Sequence, residues 1–168
     1  MKLEDYIKTI KDFPKKGIDF KDISPLLANP EAFSLAIDLI AKETKDADVI
    51  IAPDARGFIF ACPVAYKEKK PFIMVRKKGK IPGQTHFIEY SLEYGKNVLE
   101  LQKGLIKKGS KVVIIDDVLA TGGTLEAIIK LCENQEAKVI KIVVLLALKD
   151  LLTNEYVKNY PIKAIIES

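Results

Sequence analysis

The sequence has only two cysteines, one histidine and no long apolar run. Cys62 and Cys132 fall in apolar helical patterns with no metal-ligand spacing, which argues against a disulfide framework and reads both as small core residues. No stretch approaches the about eighteen apolar residues that a membrane span needs. The opening "MKLEDYIKTIKDF" lacks the apolar segment of a secretory leader, so the expected compartment is the cytoplasm, with no membrane partner. An excess of one charge is missing as well. Lys and Arg number 27 against 23 Asp and Glu, a net charge of +4 spread along the chain, which argues against a dedicated nucleic-acid surface. Repeats, low-complexity tracts and Pro- or Ser-rich linkers are absent. The 168 residues are therefore expected to form a single domain, 1–168.

What is present is ordinary globular composition, 48% hydrophobic and 30% charged, arranged in a distinctive order. Five short runs are almost wholly apolar and rich in Val and Ile: "VIIA" (49–52), "FIMV" (72–75), "VVII" (112–115), "VIKIVVLLAL" (139–148) and "IKAII" (162–166). Strands buried on both faces read this way, as in a parallel sheet covered by helices. Helical patterns lie between several of them. "NPEAFSLAIDLIAKET" opens with Asn29 as N-cap and Pro30 in the first turn. "GTLEAIIKLCEN" turns Leu125, Ile128, Ile129 and Cys132 inward and pairs Glu126 with Lys130 outside. The expected fold class is α/β, a mainly parallel sheet flanked by helices. Two regions break the rhythm: residues 1–28 form an appended cap, and residues 76–102 form a mobile loop followed by an antiparallel excursion.

The most informative stretch is "VVIIDDVLATGGT" (112–124). Asp116 and Asp117 sit where the apolar run stops, and ligands in open parallel sheets bind beyond such strand ends. Gly122 and Gly123 carry no Cβ, so backbone N–H groups can converge on one anion at the start of the next helix. Thr121 and Thr124 add hydroxyl donors. Two carboxylates beside a phosphate need something between them that donates hydrogen bonds, and a sugar diol does so. The pattern therefore suits a phosphorylated sugar. It is neither a Walker A motif nor a dinucleotide fingerprint, because no Lys follows the glycines and G-x-G-x-x-G is absent.

"VVIIDDVLATGGT" closely resembles the phosphoribosyl pyrophosphate-binding motif of type I phosphoribosyltransferases. Other segments narrow the resemblance to the adenine phosphoribosyltransferases. "FPKKGIDFKDISPLL" (13–27) looks like their N-terminal hood, placed at 1–28, and "DARGFIF" (54–60) like their base and pyrophosphate loop. "VRKKGKIPG" (75–83) and "YSLEYGKNVLELQKG" (90–104) look like their flexible loop and following strand, taken as 76–95 for the loop and its strand. The resemblance implies transfer of a phosphoribosyl group from 5-phosphoribosyl 1-pyrophosphate to adenine, giving AMP and pyrophosphate. It also implies a homodimer, with Mg²⁺ bound mainly through substrate and no metal ligands of the protein's own.

By this resemblance Ala120, Thr121, Gly122, Gly123 and Thr124 hold the 5′-phosphate, and Asp116 and Asp117 hold the ribose hydroxyls. Arg56 and Arg76 lie nearest the pyrophosphate, with Lys77 and Lys80 as further cations, while Lys78 is read as solvated. Glu93 matches the family's general acid or base for a purine nitrogen, and Tyr94 gates the loop. A cis peptide is implied between Ala55 and Arg56. Backbone groups of Asp19 and Arg56 read the adenine 6-position, with the Asp19 side chain turned to solvent. Phe20 and either Leu145 or Leu146 sandwich the base. His86, placed in the loop, is left out of the site. Two other readings stay open: transfer to a different purine, and a non-catalytic regulatory relative.

Overall fold

The structure, a computed structural model, describes residues 1–92 and 95–168. The five apolar runs are strands: β3 (Val49–Pro53), β4 (Phe72–Lys77), β7 (Lys111–Leu119), β8 (Lys138–Ala147) and β9 (Ile162–Glu167). A short antiparallel pair, β1 (Lys8–Ile10) and β2 (Phe20–Asp22), belongs to the N-terminal segment, and β5 (Thr85–Leu92) and β6 (Gly95–Gln102) form a hairpin. The main sheet has seven strands in the order β5-β6-β4-β3-β7-β8-β9. Its pairs from β4 to β9 are parallel, and β6 and β5 extend it antiparallel at one edge.

Alternation along the strands sorts the core into two layers. Ile50, Ala52, Val113, Ile115 and Val143 face α2 (Pro30–Lys42) and α3 (Arg56–Glu68). Val49, Ile51, Val112, Ile114 and Val144 face α4 (Gly123–Asn134). A two-residue side-chain period does this in any strand, so a run apolar at every position must be covered on both sides. Asn29 caps α2 as expected, its Oδ1 accepting the Ala32 N–H at 2.9 Å, and Lys130 meets Glu126 at 2.7 Å on α4. Cys132 is buried, but Cys62 is exposed on α3 rather than in the core. The first helix, α1 (Ser24–Ala28), leads from the N-terminal segment, and α5 (Glu155–Lys158) precedes β9.

The connections place the site. From β3 the chain runs through α3 to β4 on one side. From β7 it runs through α4 to β8 on the other. Adjacent strands whose crossovers depart in opposite directions leave a crevice above their carboxyl ends. Here that crevice lies between β3 and β7.

Candidate active site

Asp116 and Asp117 do not follow the end of a strand, as the sequence suggested; they lie within β7. Pairing with β3 stops at Ile114, whereas pairing with β8 continues to Leu119. Hydrogen bonding to β8 keeps the backbone extended while the other edge opens into the crevice. Asp117 is only 8% exposed and Asp116 is half-buried. Asp116 Oδ1 accepts the Asp117 N–H at 2.8 Å. Loss of hydration, followed by the neighbouring Asp117 charge, pushes the Asp116 carboxyl well above the usual carboxylate range. Gly57 makes this packing possible: a Cβ there would lie 3.1 Å from Asp116 Oδ1 and 3.0 Å from Pro53 Cδ. In the sequence, the glycine beside the arginine of "DARGF" is the signal of this close approach.

Arg56, at the start of α3, ties this centre to the N-terminal segment. Its Nε forms an ion pair with Asp117 Oδ2, without the alignment of a hydrogen bond. Its Nη2 donates to the Lys21 carbonyl at 3.0 Å, and the guanidinium lies 5.0 Å from the Phe20 ring centroid. The cis peptide in this stretch joins Asp54 and Ala55, one bond earlier than the expected Ala55–Arg56.

Beyond Leu119 the chain turns tightly into α4. A cavity of about 140 Å³ is lined by Asp116, Ala120, Thr121, Gly122, Gly123 and Thr124. Gly122 adopts φ +97°, and no side chain caps α4. The free N–H groups of the first turn are thus left for an anion.

The cationic residues sit beside it. Arg76 and Lys77 belong to β4, not to a loop, so only residues 78–84 lie outside strands there. Arg76 Nε donates to Asp54 Oδ2 at 2.8 Å, and Lys80 Nζ lies 4.0 Å from the same oxygen. A cavity of about 280 Å³ is lined by Asp54, Ala55, Arg76, Lys77, Lys80 and Thr124, among others. Glu100 is not among the residues expected at the site. It is 8% exposed, accepts the Gly79 N–H and the Thr85 hydroxyl, each at 3.2 Å, and so brackets the segment carrying Lys80. A glutamate within the apolar "NVLEL" was its signal. His86 is a β5 residue paired with Leu101, not part of a loop.

A third cavity, about 360 Å³, lies under the N-terminal segment, lined by Asp19, Phe20, Arg56, Asp117, Val118 and Leu148, among others. Asp19 is exposed. Leu145 and Leu146 are not among the lining residues: they are buried in the core, Leu145 at 0% exposure, and Val118 and Leu148 form the apolar wall instead. An apolar run of ten residues does not reveal which of its leucines meets a cavity at the strand end. Glu93 and Tyr94 lie outside the described residues.

The three cavities adjoin one another. Val118 and Ala120 line both the 360 Å³ and 140 Å³ spaces, and Thr124 lines both the 140 Å³ and 280 Å³ spaces. Ala55 and Arg56, neighbours in sequence, line the 280 Å³ and 360 Å³ spaces respectively. An apolar slot, a glycine-loop cavity and a cationic recess thus adjoin, with Asp117 in the wall of the first and Asp116 in the wall of the second. The profile of the phosphoribosyl transferase domain matches residues 22–166. The chain belongs to that family.

Relatives of this phosphoribosyl transferase domain agree over nearly its whole length. Adenine phosphoribosyltransferase of Mycoplasmopsis pulmonis is 63% identical over 151 residues, covering 90% of this chain and 89% of the relative. The crystal structure of adenine phosphoribosyltransferase from Thermoanaerobacter pseudethanolicus superposes with a TM-score of 0.94 at 44% identity, covering 99% of this chain and all of that one. The Saccharomyces cerevisiae adenine phosphoribosyltransferase, crystallised with an imino-altritol bisphosphate and adenine, gives a TM-score of 0.91 at 32% identity, covering 97% and 96% of the two chains.

Proposed function

We propose that this chain is an adenine phosphoribosyltransferase, joining adenine to the ribose of 5-phosphoribosyl 1-pyrophosphate and releasing pyrophosphate. The observation that carries this reading is a run of three adjoining, chemically different cavities, of which Asp117 lines the 360 Å³ space, Asp116 the 140 Å³ space and Asp54 the 280 Å³ space. The donor has one 5′-phosphate, one diol and one pyrophosphate, and the acceptor is flat and apolar on its faces. Each has a matching space.

The 5′-phosphate enters the loop 120–124, where backbone N–H groups and the Thr121 and Thr124 hydroxyls donate to it. Asp117 and Asp116 accept hydrogen bonds from the ribose hydroxyls. Arg56 holds Asp117 in the unliganded protein, so arrival of the diol frees its guanidinium for the leaving group. Arg76, Lys77 and Lys80 face the pyrophosphate, with Asp54 setting the direction of Arg76. As the anomeric bond lengthens, positive charge grows on the sugar and negative charge on pyrophosphate. Cations fixed before the reaction stabilise that separation without reorganising. Phe20, Val118 and Leu148 clasp the purine, and backbone groups near Asp19 and Arg56 read its 6-amino group. Glu93 exchanges a proton with the ring, and Tyr94 gates the loop.

Adjacent aspartates and Asp54 offer the hard oxygen donors that suit Mg²⁺, although no group of three His, Cys, Asp or Glu side chains able to hold a metal occurs among the described residues. When bound, Mg²⁺ would neutralise pyrophosphate charge. It would arrive mainly on substrate oxygens. A homodimer and a cytoplasmic location belong to the same reading. Both cysteines are free thiols, which suits a reducing compartment.

A purine panel with phosphoribosyl pyrophosphate and Mg²⁺ tests the assignment. AMP from adenine, with hypoxanthine and guanine inert, is expected; preference for either of those bases would move the protein to another specificity. Replacing both Asp116 and Asp117 with Asn should weaken donor binding, and unchanged binding would remove the pair from the sugar site.

A further inference from the structure

Glu126 occupies an awkward position. It lies in the first turn of α4, where a carboxylate complements the helix end when the cradle is empty but repels a phosphate lodged there. Its backbone is bound to the loop, the Glu126 N–H donating to the Gly122 carbonyl at 2.9 Å. Yet its side chain does not line the 140 Å³ cradle. It lines a neighbouring cavity of about 400 Å³, together with Gly123, which the two cavities share, Lys130 and Asn154.

Two groups hold it there. Lys130 Nζ donates to Oε1 at 2.7 Å, and Asn154 Nδ2 donates to Oε2 at 2.5 Å. Both keep the carboxyl below its ordinary range. Lys130 is a helix neighbour, whereas Asn154 comes from the segment between β8 and β9. The other half of its amide caps α5, Oδ1 accepting the Val157 N–H at 2.9 Å. Asn154 also backs the loop itself. A Cβ on Gly122 would lie 3.0 Å from Asn154 Cβ, 3.2 Å from Leu152 Cδ1 and 3.4 Å from Val157 Cγ2. One side chain therefore braces the left-handed turn of the cradle and restrains the carboxylate closest to it in sequence.

We propose that Asn154 is a positioning residue for the anion cradle, holding Glu126 clear of the bound phosphate and supporting Gly122 from behind. This rests on the reading that the donor's 5′-phosphate lodges at 120–124. Asn154 itself touches no substrate. Its influence passes through Glu126 and the loop backbone.

Asn154→Asp is the discriminating variant. Aspartate has the same size and caps a helix as well as asparagine, so α5 and the contact with Gly122 are kept. The donating amide becomes a second carboxylate against Glu126. The expected result is a rise of about tenfold in KM for phosphoribosyl pyrophosphate, the scale of one lost charge-assisted hydrogen bond. The kcat and the KM for adenine should stay within about twofold, and thermal protection by ribose 5-phosphate should fall in step. Adding Glu126→Gln to Asn154→Asp restores a donor–acceptor pair in reversed sense and should recover most of the donor affinity. Asn154→Ser, which keeps a capping group but has no amide, should show the single-variant defect and serves if Asn154→Asp does not fold. Unchanged donor KM and unchanged ribose 5-phosphate protection in Asn154→Asp, or in Asn154→Ser, overturn the proposal. A folded double variant as impaired as Asn154→Asp also overturns it. Absence of ribose 5-phosphate protection in the parent protein would instead bring down the cradle assignment, and this inference with it.

Discussion

In the proposed function the loop 120–124 and the arm 76–80 both face an anion, by opposite means. The loop has almost no side chains. It works through N–H groups aimed by a tight turn, with Gly122 at φ +97° packed against Leu152, Asn154 and Val157. The arm works through long cationic side chains, Arg76, Lys77 and Lys80, at the end of β4 and in the segment after it, directed by Asp54 and bracketed by Glu100. A group that stays bound throughout a reaction is suited by a rigid backbone nest. A leaving group whose charge grows is suited by cationic side chains already directed toward it. On the proposed placement of the donor, anion binding would divide into shape at one end and electrostatics at the other.

The division can be broken most sharply at Arg76. Arg76→Ala should lower kcat/KM by about 10²–10³, the usual loss when one preorganised charge-stabilising group is removed. Arg76→Lys should recover only part of it, because an ammonium cannot both meet Asp54 and reach the ligand as a planar fork does. Steady-state kinetics decide this, and a loss below threefold would mean that the arm does not face the pyrophosphate.

Gly122→Ala should act next most strongly, through geometry instead of charge. The left-handed φ costs about 1 kcal/mol and crowding against Asn154 about 1–3 kcal/mol. Donor KM should rise by tens of fold, equally at low and high salt, while the defect of an arm variant should depend on ionic strength. A salt-dependent Gly122→Ala defect would erase the distinction between the two regions.

Asp116→Asn should separate binding from stability. The folded protein raises the Asp116 pKa above its ordinary 3.8, so the folded state holds this proton more tightly than the unfolded chain does. The stability this group contributes is complete below that ordinary value and is lost as pH rises through the folded pKa. Asparagine removes that loss, so at neutral pH the unliganded variant should melt a few degrees higher and bind donor more weakly. The gain should vanish in acid. Melting curves against pH would show the opposite trend if Asp116 were stabilised as a carboxylate.

The smallest effect is expected at Asp19. Its side chain is exposed at the rim of the 360 Å³ cavity, so Asp19→Asn should leave adenine turnover unchanged. A selective loss with adenine would show that this carboxylate reads the base and would add side-chain charge to the apolar end of the site.

Much of this was legible along the chain. The Val- and Ile-rich runs declared doubly covered strands because a run without polar alternation has no face to give to water. Asn29 and Pro30 marked a helix start by local hydrogen bonding, and "ATGGT" marked a cradle because two glycines before a helix free its N–H groups. These are short-range properties, and residue order alone determines them. Family membership was legible for the same reason, being carried by contiguous motifs.

The tertiary structure decided everything that depends on two distant segments meeting. Asp116 and Asp117 lie inside β7 because β8 continues to pair beyond the point where β3 turns away, which no window of sequence contains. Leu148 rather than Leu145 lines the 360 Å³ cavity because β8 ends at Ala147, just before it. Gly57 against Asp116, Glu100 across the cationic segment and Asn154 behind Gly122 are likewise products of packing. Local patterns establish which elements form. Close packing, with hydrogen-bond partners remote in sequence, determines which of their side chains share a site.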